Sequence, residues 1–300
     1  MAVVLVLVVV APVAFAWWQF QRIDRVDMGD SLSSGGSGTN YLIVGSDSRD
    51  NIDPNDPTAD AFLGTEVSGN RADTLIVLRV GDGEPSMLSI PRDLWVTNAA
   101  TGEVGRINST FADGPGALID SVEGIGIPVN HYLQIDFTSF AGLVDAVGGI
   151  TIEVPHPARD ERSGLDIPEA GQVTLDGDQA LAYVRSRAYT ELIDGQWVTD
   201  PTADLGRVKR QRQFLTALLS AVGGVRNPLV LSRVASELAP GLAIDDQLSF
   251  LEAVRLALDL GGASPQSVDL PVVGRTTSGG AAVLDLEQPA ADEVIAQFSG

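Results

Sequence analysis

Three hundred residues with a hydrophobic fraction of 44% allow one large domain or two small ones, while a net charge of −21 argues against nucleic acid as a partner. The same acidity argues against a surface held to anionic lipid by basic patches. With no cysteine and only two histidines, His131 and His156, the chain excludes a disulfide framework, thiol catalysis, a cysteine zinc site and a His-rich metal centre. In chain order, Ala2–Trp18 comes first, uncharged and almost wholly apolar, ending at Trp17-Trp18 before Arg22. Its length is near the lower limit for a membrane span, and tryptophans favour the interface, so residues 1–20 are expected to be a transmembrane anchor. A cleaved signal peptide competes through Ala14-Phe15-Ala16, although bulky residues follow that site. Residues 31–39 are Ser- and Gly-rich, which makes 21–39 a flexible linker and 40–300 the folded head.

The head opens with Tyr41–Gly45, a short buried strand, followed by an Asp-, Pro-, Gly- and Asn-rich loop up to Asn70. Thr74–Val80 and Met87–Ile90 read as strands, Gly114–Gly126 as holding a short helix, and His131–Asp136 as another strand. Phe137–Val147 has helical spacing and stops at Gly148-Gly149; Ile150–Val154 follows as a strand. Ala180–Arg185 is read as a strand, 203–222 as a long helix, and 228–238 and 246–260 as amphipathic stretches. Ser267–Val273 and a last helix from about Gln288 complete the tail. The alternation predicts an α/β fold, a layered α-β-α domain with a central mixed sheet, preceded by one N-terminal transmembrane helix.

Charge is distributed unevenly. Six of the nineteen Lys and Arg residues fall between Arg185 and Arg212, a cationic cluster suited to an anionic ligand. On a helix starting near Thr202, Asp204, Arg207, Gln211, Leu215 and Leu218 share one stripe, whereas Lys209, Arg210, Gln213 and Ser220 form the solvated face. Burying an acid, an arginine and an amide costs several kcal/mol unless they are satisfied. An Asp204–Arg207 ion pair is the plainer explanation, but one aspartate cannot also neutralise Arg185 and Arg187. Three further polar pairs lie where strands end, at Asp47/Arg49, Arg71/Asp73 and Arg92/Asp93. Ligand sites of open α/β sheets form at such ends.

Taken together the motifs resemble those of the LytR–CpsA–Psr family. They are Gly45-Ser46-Asp47-Ser48-Arg49, Arg71-Ala72-Asp73-Thr74, Ser89-Ile90-Pro91-Arg92-Asp93, Gly148-Gly149-Ile150, Ala180 to Arg187, and Asp204-Leu205-Gly206-Arg207 with Arg210-Gln211, a motif core over 41–222. The resemblance implies a membrane-anchored enzyme with an extracellular catalytic domain. Such an enzyme moves a glycopolymer phosphate from a polyprenyl-pyrophosphate carrier to a muramic-acid hydroxyl of peptidoglycan. It further implies Asp47 and Asp73 as ligands of Mg²⁺ (or Mn²⁺), and a pyrophosphate held by Arg71, Arg92, Arg185, Arg187, Arg207 and Gln211. Arg92, Asp93 and Asp204 are the expected catalytic residues, Asp204 orienting guanidinium groups and Asp93 being a candidate base. Arginine suits phosphate because its planar fork is always charged. A lipid-phosphate-binding regulator and a lipid pyrophosphatase are the alternative readings. The apolar faces of Phe137, Phe140, Leu143, Val144 and Val147 and of Phe214, Leu215, Leu218 and Leu219 fit either a lipid tunnel or plain core.

Overall fold

The computed structural model describes residues 14–46, 72–81, 83–201, 204–225, 227–260, 263 and 265–300. Its central sheet has seven strands: Asp24–Val26 (β1), Gly38–Ser46 (β2), Ala72–Gly81 (β3), Ser86–Ile90 (β4), His131–Asp136 (β5), Leu242–Asp245 (β6) and Gln266–Asp269 (β7). Their spatial order is β1-β6-β5-β2-β3-β4-β7. β1 with β6, β5 with β2, and β4 with β7 run parallel; the remaining pairs are antiparallel, so the sheet is mixed. Alternation along β2 and β3 divides the core. Leu42, Val44, Leu75 and Val77 face one cluster, and Tyr41, Leu78 and Val80 face the other.

Among the described residues, seven helices of nine residues or more accompany the sheet: Pro115–Glu123 (α1), Phe137–Ala146 (α2), Gly177–Arg185 (α3), Asp204–Gly224 (α4), Pro228–Leu238 (α5), Phe250–Leu260 (α6) and Ala290–Ser299 (α7). α1 and α7 cover the first face through Leu118, Ile119, Ile295 and Phe298. The second face is covered by α6 through Leu260 and by Phe20 of a short helix over 14–20. A third cluster lies beneath α2–α5, where Phe214, Val144 and Leu218 pack with the Ile150–Val154 strand. Phe140, Leu143, Val144, Phe214 and Leu218 therefore belong to a packed core, with the Phe140 and Phe214 rings 5.5 Å apart. The side chain of Phe137 lies outside the described residues.

Local chemistry accounts for most boundaries. Asp136 caps α2 by accepting from the Ser139 amide at 2.7 Å, and Gly148 and Gly149 end it at φ of 90° and 89°. Gly149 also has no room for a side chain, since an added Cβ would stand 2.7 Å from Thr174 Cγ2 and 3.0 Å from the Leu175 carbonyl oxygen. Asp245 is wholly buried and accepts from the amides of Tyr132, Gln247 and Leu248 at 3.0, 3.0 and 2.7 Å. His131 Nδ1 approaches the same carboxylate at 3.2 Å, and Tyr41 stacks on its ring. Strands β5 and β6 are thereby tied to the loop before α6.

Two expectations need correction. Ala180–Arg185 is not a strand but the body of α3, with a capping box between Asp176 and Gln179. Ala180, Leu181 and Ala182 are strong helix formers, and Val184 alone is β-branched there, so local propensity favours the helix. Part of the expected linker 21–39 is also integrated with the head. Asp24–Val26 is an edge strand of the central sheet, and the Ser33 amide bonds the Val129 carbonyl at 2.8 Å. Of the expected anchor, 1–13 lies outside the described residues and 14–20 is helical. Among the described residues no helix is long and apolar enough to cross a membrane.

Candidate active site

A small cavity opens where β3 and β4 meet α4. Thr74, Leu75, Ile76, Ser89, Ile90, Arg92, Arg207 and Gln211 line it. Sheet and helix each bring one arginine. Arg92 follows Pro91 at the end of β4, in a turn closed by the Leu94 amide on the Pro91 carbonyl at 3.0 Å. Its own carbonyl accepts from the Asn108 amide at 3.1 Å, so the backbone at this position is tied from both sides. Arg207 lies in the first turn and a half of α4, 3% exposed, with Gln211 one turn further on the same stripe. The spacing of Arg207, Gln211 and Leu218 thus places them as the sequence predicts.

The second pair of arginines stands beside this cavity. Gln211 Nε2 donates to the Val184 carbonyl at 3.0 Å, which brings the C-terminal end of α3, with Arg185 in its last turn, against α4. Ser186 ends α3 and Arg187 is exposed just beyond it. The two guanidinium groups are therefore presented by a helix end and the following turn, not by alternate positions of a strand.

That turn is built by Asp160, to which sequence reasoning gave no role, and by Arg210, which it placed on the solvated face. Asp160, 2% exposed, accepts on Oδ2 from Ser186 Oγ at 2.7 Å and from the Arg187 and Ala188 amides at 3.0 and 2.8 Å. Its other oxygen accepts from the Arg162 amide at 2.9 Å. Burial alone would raise this carboxyl, but the hydrogen bonds from Ser186, Ala188, Arg162 and Arg187 outweigh it and hold it below its usual 3.8. Arg210, expected on the solvated face, is buried: it bonds Asp200 Oδ2 at 2.9 Å and the Ser186 carbonyl at 3.0 Å, and its guanidinium covers the Tyr189 ring at 4.2 Å. Lys209 and Gln213 are exposed as expected. Asp160 had no signal in the sequence, lying outside the cationic cluster and before an ordinary turn; Arg210 had one in its adjacency to Gln211.

Asp93 lies between two arginines, Arg92 Nε at 3.5 Å and Arg106 Nε at 3.1 Å. Asp47 and Arg71 lie outside the described residues, as do the side chains of Asp73 and Asp204. The backbone at Asp73 is nevertheless described. β2 pairs Gly45 with Thr74 and Ser46 with Ala72, so the register slips by one and Asp73 is the extra residue. Such bulges re-aim side chains next to active sites. Asp47 and Asp73 are hard oxygen donors, a residue type that suits a divalent cation which also takes phosphate oxygens. No cluster of three or more His, Cys, Asp or Glu suited to a metal occurs among the described residues.

With this geometry in view, the comparisons decide the family. The LytR_cpsA_psr family model matches residues 20–299. The chain belongs to the LytR–CpsA–Psr family. It is 35% identical over 295 residues to the probable cell wall biosynthesis protein LcpB of Corynebacterium glutamicum, covering 95% of this chain and 66% of that protein. It is 31% identical over 222 residues to the polyisoprenyl-teichoic acid–peptidoglycan teichoic acid transferase TagU of Enterococcus faecalis, covering 71% and 68% of the two chains. Among solved structures, the LytR-Csp2A-Psr enzyme from Actinomyces oris superposes with a TM-score of 0.75 at 28% identity, over 93% of this chain and 96% of that one. The mixed α/β architecture is thus the family's. Against curated relatives the chain spans from about half to two thirds of their length, for example 55% of LcpA and 66% of LcpB from Corynebacterium glutamicum.

Proposed function

We propose that this protein is a cell-wall glycopolymer phosphotransferase, taking a glycan phosphate from a polyprenyl-pyrophosphate carrier and placing it on a peptidoglycan muramic-acid hydroxyl. The observation that carries the reading is the strand-end cavity lined by Arg92, Arg207 and Gln211, with Arg185 and Arg187 on the adjoining turn. The relative named a teichoic acid transferase supports the substrate class. In this reaction the acceptor oxygen bonds to the phosphorus that carries the glycan. The anhydride P–O bond breaks, polyprenyl phosphate leaves, and the hydroxyl proton is lost to a base.

Phosphoryl transfer asks for in-line positioning and compensation of charge on the phosphate oxygens. In this reading Arg207 and Gln211 hold the diphosphate from the helix side, Arg92 from the sheet side, and Arg185 and Arg187 from the α3 turn, with Arg71 adding to them. Asp93, already shared by Arg92 and Arg106, aligns Arg92 in preference to accepting a proton, and Asp204 orients the guanidinium groups. Asp47 and Asp73 would hold Mg²⁺, which would supply positive charge to offset that of the diphosphate. The N-terminal apolar stretch anchors the chain in the cell membrane, with the catalytic domain outside.

Arg92→Lys tests the site, because lysine keeps the charge but loses the fork. The expected outcome is a fall in kcat/KM of roughly 100-fold, about 2.7 kcal/mol in transition-state stabilisation, with unchanged thermal stability. An Arg92→Lys enzyme with wild-type kinetics would remove Arg92 from the reaction.

A further inference from the structure

Among the described residues, the fold leaves an apolar surface that neither the core nor the candidate site uses. α6 has two stripes. Phe250, Ala253, Leu256 and Leu260 pack inward against the second face of the sheet. Leu251, Val254, Arg255 and Leu258, spaced i, i+3, i+4 and i+7, face outward, with Leu251 and Leu258 68% and 72% exposed. A helix packed on one side normally gives its other side to charge. Here four of the six exposed residues, Leu251, Val254, Ala257 and Leu258, are aliphatic, and only Arg255 and Asp259 are charged.

The helix over 14–20 continues this surface. Trp17 meets Phe250 edge-on at 5.3 Å, and Phe20 meets the same ring at 5.5 Å. Trp17 and Trp18 are about half exposed. Of the ten large hydrophobics exposed among the described residues, six belong to these two helices, so the exposure is concentrated and not scattered. Cations rim the patch, Arg22 over Trp18 at 4.8 Å and Arg25 over Phe20 at 4.6 Å. The chain immediately before it, Ala2–Val13, carries no charge.

We propose that the outer face of α6, with Trp17 and Trp18, is a bilayer-docking surface that lays the domain against the membrane. Tryptophans beside an apolar run, and arginines snorkelling at its edge, match the chemistry of a lipid interface. The contact works by apolar insertion, because a chain of net charge −21 cannot rely on attraction to anionic headgroups. It rests on the reading that the N-terminal stretch anchors the chain, and it adds a fixed orientation. α4 links the two regions: Leu219 packs in the cluster under α6, while Arg207 lies twelve residues earlier, about 18 Å along the helix. A carrier diphosphate is thus met at a set place relative to the membrane-facing helix.

The absence of cysteine makes the test direct. Leu251→Cys, Leu258→Cys and, as a distant exposed control, Val104→Cys are each placed in the full chain, labelled with bimane and reconstituted in phosphatidylcholine–phosphatidylglycerol vesicles carrying spin-labelled lipid. The proposal expects at least twofold quenching at 251 and 258, none at 104, and no change on varying the protein-to-lipid ratio. Equal quenching at all three sites in chains that float with the vesicles overturns the docking surface and leaves the anchor standing. Shielding at 251 and 258 that grows with protein density, without lipid quenching, assigns the face to a second copy and also overturns it. Chains that do not float overturn the anchor and the docking surface together.

Discussion

Asp160 and Asp245 show how single buried carboxylates organise this chain. Each accepts several hydrogen bonds, and each is held below its usual 3.8 although burial opposes this, Asp160 by Ser186 and nearby amides and Asp245 by His131, Tyr132 and Leu248. A carboxyl with a depressed folded pKa contributes stability that is fully present above the unfolded value. That stability is lost as pH falls through the folded one. Acid unfolding should therefore set in below about pH 3.8, and Asp245→Asn should flatten that limb while lowering stability at neutral pH by about 1–3 kcal/mol, read by thermal melts across pH. Asp160→Asn should release the Ser186–Ala188 turn, lowering turnover about tenfold or more with a smaller loss of melting temperature, because Arg187 loses its place before the core does. Neither carboxylate was legible in the sequence. An aspartate that caps a distant turn looks like any other aspartate until the chain is folded, whereas Arg92, Arg207 and Gln211 were legible because charge, strand ends and helical spacing all coincide on them.

At the scale of elements, the long periodic segments were readable and the short ones were not. α2, α4 and α5 and strands β2–β5 stand where spacing and glycines put them. The failure at Ala180–Arg185 came from treating a short apolar run as a strand, when the cap that decides the matter, Asp176 with Gln179, precedes it. Hairpins such as Gln196–Thr199 with Thr190–Ile193 escaped notice because their strands are four residues long and carry polar positions. Two substitutions test the packing. Gly149→Ala should cost about 2 kcal/mol or more, since the residue needs a positive φ and its Cβ would collide with Thr174 and Leu175. Phe214→Ala, at the centre of the cluster under α2–α5, should cost about 3–5 kcal/mol. Denaturant midpoints check both, and an unaltered midpoint for either would place that residue outside the cooperative core.

For the whole molecule, the unexpected feature is where the head begins. β1 pairs with β6, and Phe20 is buried on the second face, so the fold includes residues that were assigned to a tether and to the end of an anchor. A fragment starting at residue 40 should melt well below one starting at residue 14, because it lacks an edge strand and part of a core layer. That comparison also decides which soluble form is fit for assay. The central claim is phosphoryl transfer from a lipid carrier to peptidoglycan. Its most direct test incubates the full chain in detergent with a synthetic polyprenyl-pyrophosphate glycan, Mg²⁺ and peptidoglycan oligomers, and reads the products by mass spectrometry. The account predicts a phosphodiester-linked glycan–peptidoglycan product with released polyprenyl phosphate, both lost on EDTA treatment and in Arg92→Ala. Tight carrier binding with no product from a competent acceptor, or free glycan phosphate made equally well without peptidoglycan, would contradict it, the first in favour of sensing and the second of hydrolysis.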